Sequence, residues 1–394
     1  MVSEQFMAAT PEEVGVDGQK LEELFARARK DVEEGLLTSV QVAVARHGKI
    51  AGIRTFGNAL QAGERRPATN ETLYPLFSCT KGIVGVAMWA LLEDGLLRPE
   101  ERAGDIVPEF GKNGKGAVTV EQLLLHMSGV PHRNILPDDW HDRDKRLAAF
   151  AEWTLEWEPG SRFEYHITSA HWVLAEIIQR RTGKGHADYI RERLVEPMGL
   201  EELYVGAPPE VDARTADFQL VADGEPEPPP EGWGVGDVTP LMLLALNEPR
   251  HRRVGVPAGG GVGGAAELAL FYQTLIHGGE ATNGTRVLKP ETIEFANRVR
   301  TDESHRDPMY GNVPVNRGLG LIVGGDDGFG HARSFGRTTS PRTFGHPGAG
   351  GQIAWGDPES GLSLGYCIDG FADWVVQGRR TTAISSRAGA CAAA

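Results

Sequence analysis

The segment from Tyr74 to Leu97 sets the strongest limit on the fold. After Phe77-Ser78-Cys79-Thr80 it continues Lys81-Gly82-Ile83-Val84-Gly85-Val86-Ala87-Met88-Trp89-Ala90-Leu91-Leu92, with Gly95 placed to end a helix. Such a helix is apolar nearly all round, so other elements have to wrap it. That demands a large core, and 394 residues suffice for one large or two interleaved domains. It also puts a lysine where an unpaired charge is costly.

On either side of this stretch the hydrophobic period changes. Leu21, Leu24, Phe25, Ala28 and Val32 recur at helical spacing and predict an amphipathic helix over 11–35. Val40, Val42 and Val44 alternate with Gln41 and Ala43 as in a strand, and His47-Gly48-Lys49 turns the chain so that 50–56 can return as a hairpin partner. Residues 118–126 predict a short helix stopped by Ser128-Gly129-Val130-Pro131, and 170–181 a further helix ended by Gly183. Residues 222–232 read as an exposed, acidic, proline-rich loop. The glycines of 259–264 precede a helix over 265–277; with no Lys-Ser/Thr after them and no clear strand before them, they indicate turn packing and not a phosphate cradle. Strands return at 318–323, 352–355 and 362–368, and a helix from about Trp374 to Ala390 closes the chain.

The order strands, helices, strands predicts an α/β (α+β) fold. Residues 1–75 and 256–394 are expected to build an antiparallel sheet flanked by helices, and 76–255 an inserted, mostly helical domain, with the site in the cleft between them.

Net charge is −14, which argues against nucleic-acid and anionic-membrane partners, since both need a basic surface. Only three cysteines occur, Cys79, Cys367 and Cys391, too few and too odd for a disulfide framework. With no signal-like start and no apolar run of about 20 residues, the expected location is the cytoplasm.

Three places carry candidate chemistry. In Ser78-Cys79-Thr80-Lys81 the lysine lies one helical turn after the serine, on the same face. A serine hydroxyl is a weak nucleophile until a base takes its proton, and a lysine becomes such a base when burial and neighbouring cations lower its pKa. Ser78 should also stand at a helix N-terminus, where the dipole favours developing negative charge. The apolar flanks argue against the simpler reading of an N-cap serine with a surface lysine. In Phe163-Glu164-Tyr165-His166-Ile167, just ahead of the 170–181 helix, Tyr165 can present its hydroxyl to a cleft and exchange protons with a lysine; taken alone it reads as a core tyrosine. In Phe344-Gly345-His346-Pro347-Gly348-Ala349-Gly350-Gly351-Gln352 a glycine-rich segment enters a strand, where backbone N–H groups can polarise a carbonyl oxygen. His346 alone is equally a surface turn histidine.

In order and spacing the three together resemble the β-lactamase-like, penicillin-recognising serine hydrolases, which include class C β-lactamases, DD-peptidases, family VIII carboxylesterases and related acyltransferases. Leu124-Leu125-His126-Met127-Ser128-Gly129 and Asp357-Pro358-Glu359-Ser360-Gly361 extend the likeness, which covers about residues 12–375. The resemblance implies a β-lactamase/transpeptidase-like fold and an acyl-enzyme on Ser78. It implies that Lys81 and Tyr165 handle its proton and that the N–H groups of Ser78 and Ala349 form the oxyanion hole. His346, Gly348 and Gly350 would bind substrate, with His166 a further candidate; His126 falls in a segment that is structural in the family.

Two departures favour the esterase branch. The second motif, usually Tyr-x-Asn, is Tyr165-His166-Ile167, and His346 stands where penicillin-active members commonly have lysine. The expected activity is therefore a carboxylesterase on small to medium acyl esters. The alternatives are an amidase or peptidase, a weak β-lactamase or an acyltransferase, and, from a different class, a non-catalytic binding relative. The expected partner is a small-molecule ester or amide, with no cofactor and no metal, since His166/His171 and His126/His132 lack the His-x-x-x-His spacing. Gly361-Leu362-Ser363-Leu364-Gly365 matches a nucleophile elbow, but a turn precedes it, a strand-like run follows it, and no histidine lies after Ser363, so Ser363 is expected to be a strand residue.

Overall fold

The structure is a computed structural model that describes residues 3–221 and 239–393. The acidic, proline-rich stretch 222–232 lies outside the described residues. Seven strands form the central sheet: β1 (Ser39–Arg46), β2 (Lys49–Gln61), β3 (Glu64–Pro67), β4 (Ile322–Val323), β5 (Phe344–Pro347), β6 (Ile353–Gly356) and β7 (Leu362–Ile368). Their order is β4-β5-β6-β7-β1-β2-β3, and every neighbouring pair is antiparallel. Early and late parts of the chain meet at the centre, where Val40 faces Ile368 and Val44 faces Leu364. The longer helices among the described residues are α1 (Gly18–Glu33), α2 (Cys79–Glu93), α3 (Ser169–Thr182), α4 (Ala265–Ile276) and α5 (Trp374–Gly389); α1, α2, α4 and α5 contact the sheet, and α3 packs on α2.

Strand alternation sorts large from small. Val40, Val42, Val44, Trp355, Leu364 and Tyr366 pack with Leu21, Leu24 and Phe25 of α1 and with Ile384 and Ala388 of α5. A buried ion pair, Asp31–Arg380 at 3.2 Å, ties those two helices. The opposite face presents Ala43, Ala45, Ala354 and Gly365, and α4 lies directly on it. A Cβ on Gly365 would come 1.9 Å from the Ala265 carbonyl oxygen, so this face has to be small. Beyond α4, helix α2 is buried from Cys79 to Leu91, as its all-round apolarity requires.

Three local expectations are corrected. The first helix starts at Gly18, not residue 11: Asp17 caps it by accepting from the N–H groups of Gln19 and Lys20, and Pro11–Val14 forms a separate 3-10 turn. The strand expected over 318–323 shrinks to Ile322–Val323, because Gly318 N–H donates to Leu321 C=O at 3.0 Å and closes a tight loop. The glycines of 259–264 are more than turn packing. Gly261–Gly263 is the middle strand of a small sheet between Tyr74–Pro75 and Leu203–Val205, and this sheet holds the chain just before Ser78.

Candidate active site

Ser78 is the N-cap of α2, and Phe77 before it has φ +43°. A bulky residue in this left-handed region costs about 1–3 kcal/mol and persists only where surroundings enforce it. Phe77 is buried with its ring edge-on to Phe218 at 4.7 Å. The next three side chains anchor the first turn of α2. Cys79 Sγ donates to His346 C=O (3.1 Å), Thr80 Oγ1 accepts from Gly261 N–H (2.9 Å), and Lys81 Nζ donates to Ala258 C=O (2.8 Å). Lys81 Nζ also lies 3.1 Å from Ser78 Oγ.

Tyr165 comes from the loop ahead of α3. Its ring is 4.9 Å from Lys81 Nζ, it stacks on His126 at 4.6 Å, and it lines the same cavity as Ser78. His346, on β5, lies 6.0 Å from the Tyr165 ring, with Nδ1 at 2.7 Å from its neighbour's carbonyl. The turn after β5 closes through Gly348 N–H to Gln352 C=O (2.8 Å) and Gly351 N–H to Gly348 C=O (2.9 Å). The N–H groups of Ser78 and Ala349 are not engaged by internal acceptors among the described residues. The structure thus brings Ser78, Lys81, Tyr165, His346, Gly348 and Ala349 together.

His166 and Gly350 do not join them. His166 is fully buried, with Nε2 2.8 Å from Ser128 Oγ and Nδ1 2.6 Å from Glu164 C=O, and burial pushes its pKa down to about 3. It braces the Ser128 turn and lines neither cavity described below. A Cβ on Gly350 would meet the Phe218 ring at 2.6 Å, so this glycine serves packing behind the turn. Ser363 is a buried residue near the start of β7.

Burial pushes the Lys81 amine well below its ordinary range, and the Arg317 guanidinium pushes the same way. Burial raises the Tyr165 phenol, against the opposing effect of the neighbouring Ser78 hydroxyl. His126, His171 and His346 are all lowered, first by burial and further by neighbouring charge from Arg317 and Lys81. The recurring cation is Arg317, 1% exposed, with its Cζ 5.4 Å from both the Phe163 and Tyr165 rings and neither Nη hydrogen-bonded among the described residues. Sequence reasoning missed it, because nothing in Asn316-Arg317-Gly318 separates a buried arginine from a surface one.

Two cavities open on Ser78. The larger, about 330 Å³, is lined by Ser78, Tyr165, His346 and Ala349 and is closed by α5 through Trp374, Gln377 and Thr381. The smaller, about 40 Å³, shares Ser78 and Ala349 and adds Lys81 and an apolar wall. Among the described residues no group of three His, Cys, Asp or Glu side chains is placed to hold a metal ion, and no helix is long and apolar enough to cross a membrane.

An antiparallel sheet flanked by helices, with a serine and a lysine on the first turn of a buried helix, defines a β-lactamase-like hydrolase fold. The Beta-lactamase family matches residues 24–385, and the chain belongs to that family. It superimposes on a penicillin-binding protein homolog from Caulobacter crescentus with a TM-score of 0.80, at 26% identity over 96% of this chain and 99% of that one. A family VIII carboxylesterase follows at 0.78, with 25% identity over 95% and 99%. Among curated relatives, the Esterase/beta-lactamase LipL of Mycobacterium tuberculosis is 28% identical over 317 residues, 73% of this chain and 67% of LipL.

Proposed function

We propose that this protein is a carboxylesterase that cleaves esters of small to medium acyl groups through an acyl-enzyme on Ser78. The observation that carries this reading is the 3.1 Å approach of a buried lysine amine to a serine hydroxyl that opens on a cavity. With Lys81 held neutral and one N–H engaged by Ala258, the amine has a lone pair free for the Ser78 proton. Ser78 Oγ attacks the ester carbonyl carbon, and the displaced electron pair collects on the carbonyl oxygen, toward which the N–H groups of Ser78 and Ala349 donate. When the intermediate collapses, the C–O bond to the alcohol breaks. The leaving alkoxide takes a proton from Tyr165, which burial keeps protonated, and Lys81 returns the proton to Tyr165. Water, deprotonated by the same pair, then releases the acid and regenerates Ser78.

The esterase branch is supported by Ile167 in place of the usual asparagine, by His346 in place of lysine, and by the esterase names of LipL and of the family VIII structure. The scheme needs no cofactor. The test is intact-protein mass after exposure to a p-nitrophenyl short-chain ester and, separately, to a fluorophosphonate, for wild type and Ser78→Ala. The expected result is turnover and a single adduct in the wild type, both lost in the variant, with kcat down about 10⁴-fold or more. A wild type that neither turns over nor takes the adduct overturns the reading.

A further inference from the structure

Ser78 and Ala349 line both cavities, and the two are unequal: about 330 Å³ on one side and about 40 Å³ on the other. The flanking proton carriers divide between them. Tyr165 lines only the larger cavity, and Lys81 only the smaller. In ester cleavage the departing alkoxide has to take up a proton and the acyl chain does not. The protonated phenol therefore marks the alcohol side, and the acyl chain extends the other way.

We propose that the enzyme is selective for esters of a short acyl group, up to about four carbons, and accepts a bulky alcohol, with the smaller cavity as the acyl pocket. This rests on the esterase reading of Ser78. The length limit follows from the space, since about 40 Å³ holds roughly three water-sized groups. The wall is apolar where the chain would run, at Ile167, Met242, Leu246 and Val256. Trp140 cannot retreat: it is 1% exposed, its Nε1 donates to Ile135 C=O at 2.9 Å, and His251 packs edge-on at 4.9 Å. Met242 and Leu246 are the yielding part of the wall and act as specificity-determining residues. On the other side, the larger cavity runs out past His346 to Met309, Tyr310 and Trp374, room for a ring system on the alcohol.

The experiment compares kcat/KM for p-nitrophenyl acetate, butyrate and octanoate. It also compares ethyl acetate with 2-naphthylethyl acetate, two alcohols of similar acidity. Expected are a drop of about tenfold or more from butyrate to octanoate and no drop with the bulky alcohol. Met242→Ala and Leu246→Ala should each raise the octanoate-to-butyrate ratio by about tenfold; if either variant fails to fold, the wild-type series still decides. Octanoate handled as well as butyrate, or a tenfold loss with the bulky alcohol, overturns the pocket assignment while leaving the esterase reading intact. No turnover of any ester, together with no fluorophosphonate adduct on Ser78, overturns the esterase reading and this inference with it.

Discussion

Two serines in this chain sit in sequence patterns that resemble nucleophile motifs, and their surroundings differ in kind. Ser363, near the start of β7, is fully buried; its Oγ donates to Ala269 C=O at 2.7 Å and accepts from Gln273 Nε2 at 2.9 Å. Ser78, at the start of α2, opens on two cavities and stands beside Lys81, whose amine burial pushes well below its ordinary range, and Tyr165, whose phenol burial pushes up. Both belong to well-packed regions. What separates them is whether polar atoms nearby are satisfied by the protein or left available to something from outside. Around Ser363 the hydroxyl and amide close on one another and on backbone. Around Ser78, Nε2 of His346, both ring nitrogens of His171 and both Nη atoms of Arg317 are buried without partners among the described residues. Open groups gathered beside a cavity are available to a ligand in a way that the closed set around Ser363 is not.

The largest effect that would sharpen this contrast, after loss of the nucleophile itself, comes from Lys81. Lys81→Met should lower kcat for a short-chain ester by about 10²–10⁴-fold, as steady-state assays would read. It should not lower thermal stability at neutral pH, and the sign follows from linkage. The folded state lowers the amine's proton affinity, whereas the unfolded chain binds a proton up to about pH 10.4. The unfolded state therefore holds more protons, and wild-type stability rises with pH between the depressed folded pKa and that value. Melting curves across pH should show that slope in the wild type and a flatter one in Lys81→Met. A variant that loses stability but keeps activity would reverse the contrast between the two serines.

Tyr165→Phe comes next. It removes the hydroxyl that passes the proton to the alcohol while keeping the ring on His126. The expected loss is about 10²-fold or more in kcat, larger for alkyl than for p-nitrophenyl esters, because p-nitrophenolate departs without protonation. Equal losses on the two substrates would place the proton transfer elsewhere.

Arg317 tests whether the open polar groups act together. Lys81 faces the Arg317 charge on one side, the Cys79 thiol on its own helix, and His171 and His346, whose imidazoles burial keeps neutral. The buried carboxyl of Asp307, pushed up to about 6, offers little compensating charge at low pH. Arg317→Met removes the repulsion that helps keep Lys81 neutral, so the acid limb of kcat/KM should move to higher pH. Arg317→Lys, which keeps the charge, should hold the limb nearer its wild-type position. A limb that does not move in the methionine variant would leave burial alone as the cause of the lysine's state.

The parts of the molecule legible in sequence are those where one period runs uninterrupted. Helices α2, α3, α4 and α5 and strand β7 fall in this group, and so does the serine–lysine pair, since a spacing of three on a helix is itself a geometry. Strand β5 was hidden. Phe344-Gly345-His346-Pro347 contains the two residues that argue against a strand, and its pairing depends on a neighbour 10 residues away. A Cβ on Gly345 would meet Trp355 at 2.7 Å, so the glycine that weakens the local signal is what the sheet requires. Tyr165 beside Ser78 is a contact across 87 positions, and only likeness to a family pointed to it. His166 shows the opposite failure. It occupies a motif position, yet its ring turns inward to Ser128, a choice set by the tertiary environment and invisible in the local sequence.

The smallest expected effect is the one that bears on motif reading itself. Ser363→Ala removes a hydroxyl bonded on both sides, so Ala269 C=O and one N–H of Gln273 lose a partner in a dry interior. The cost should be about 1–3 kcal/mol of stability, measured by denaturant unfolding. Gln273 keeps its bonds to Ala45 C=O at 3.1 Å and Gly361 C=O at 3.0 Å, which holds the cost toward the lower end. Because Ser363 lines neither cavity, ester turnover by the folded fraction and fluorophosphonate labelling should stay close to wild type. Loss of labelling in Ser363→Ala, with the protein still folded, would mean that the Gly-x-Ser-x-Gly pattern had been discarded wrongly. Labelling retained there and lost in Ser78→Ala would show that satisfied hydrogen bonds, more than the pattern around a serine, decide which serine is free to react.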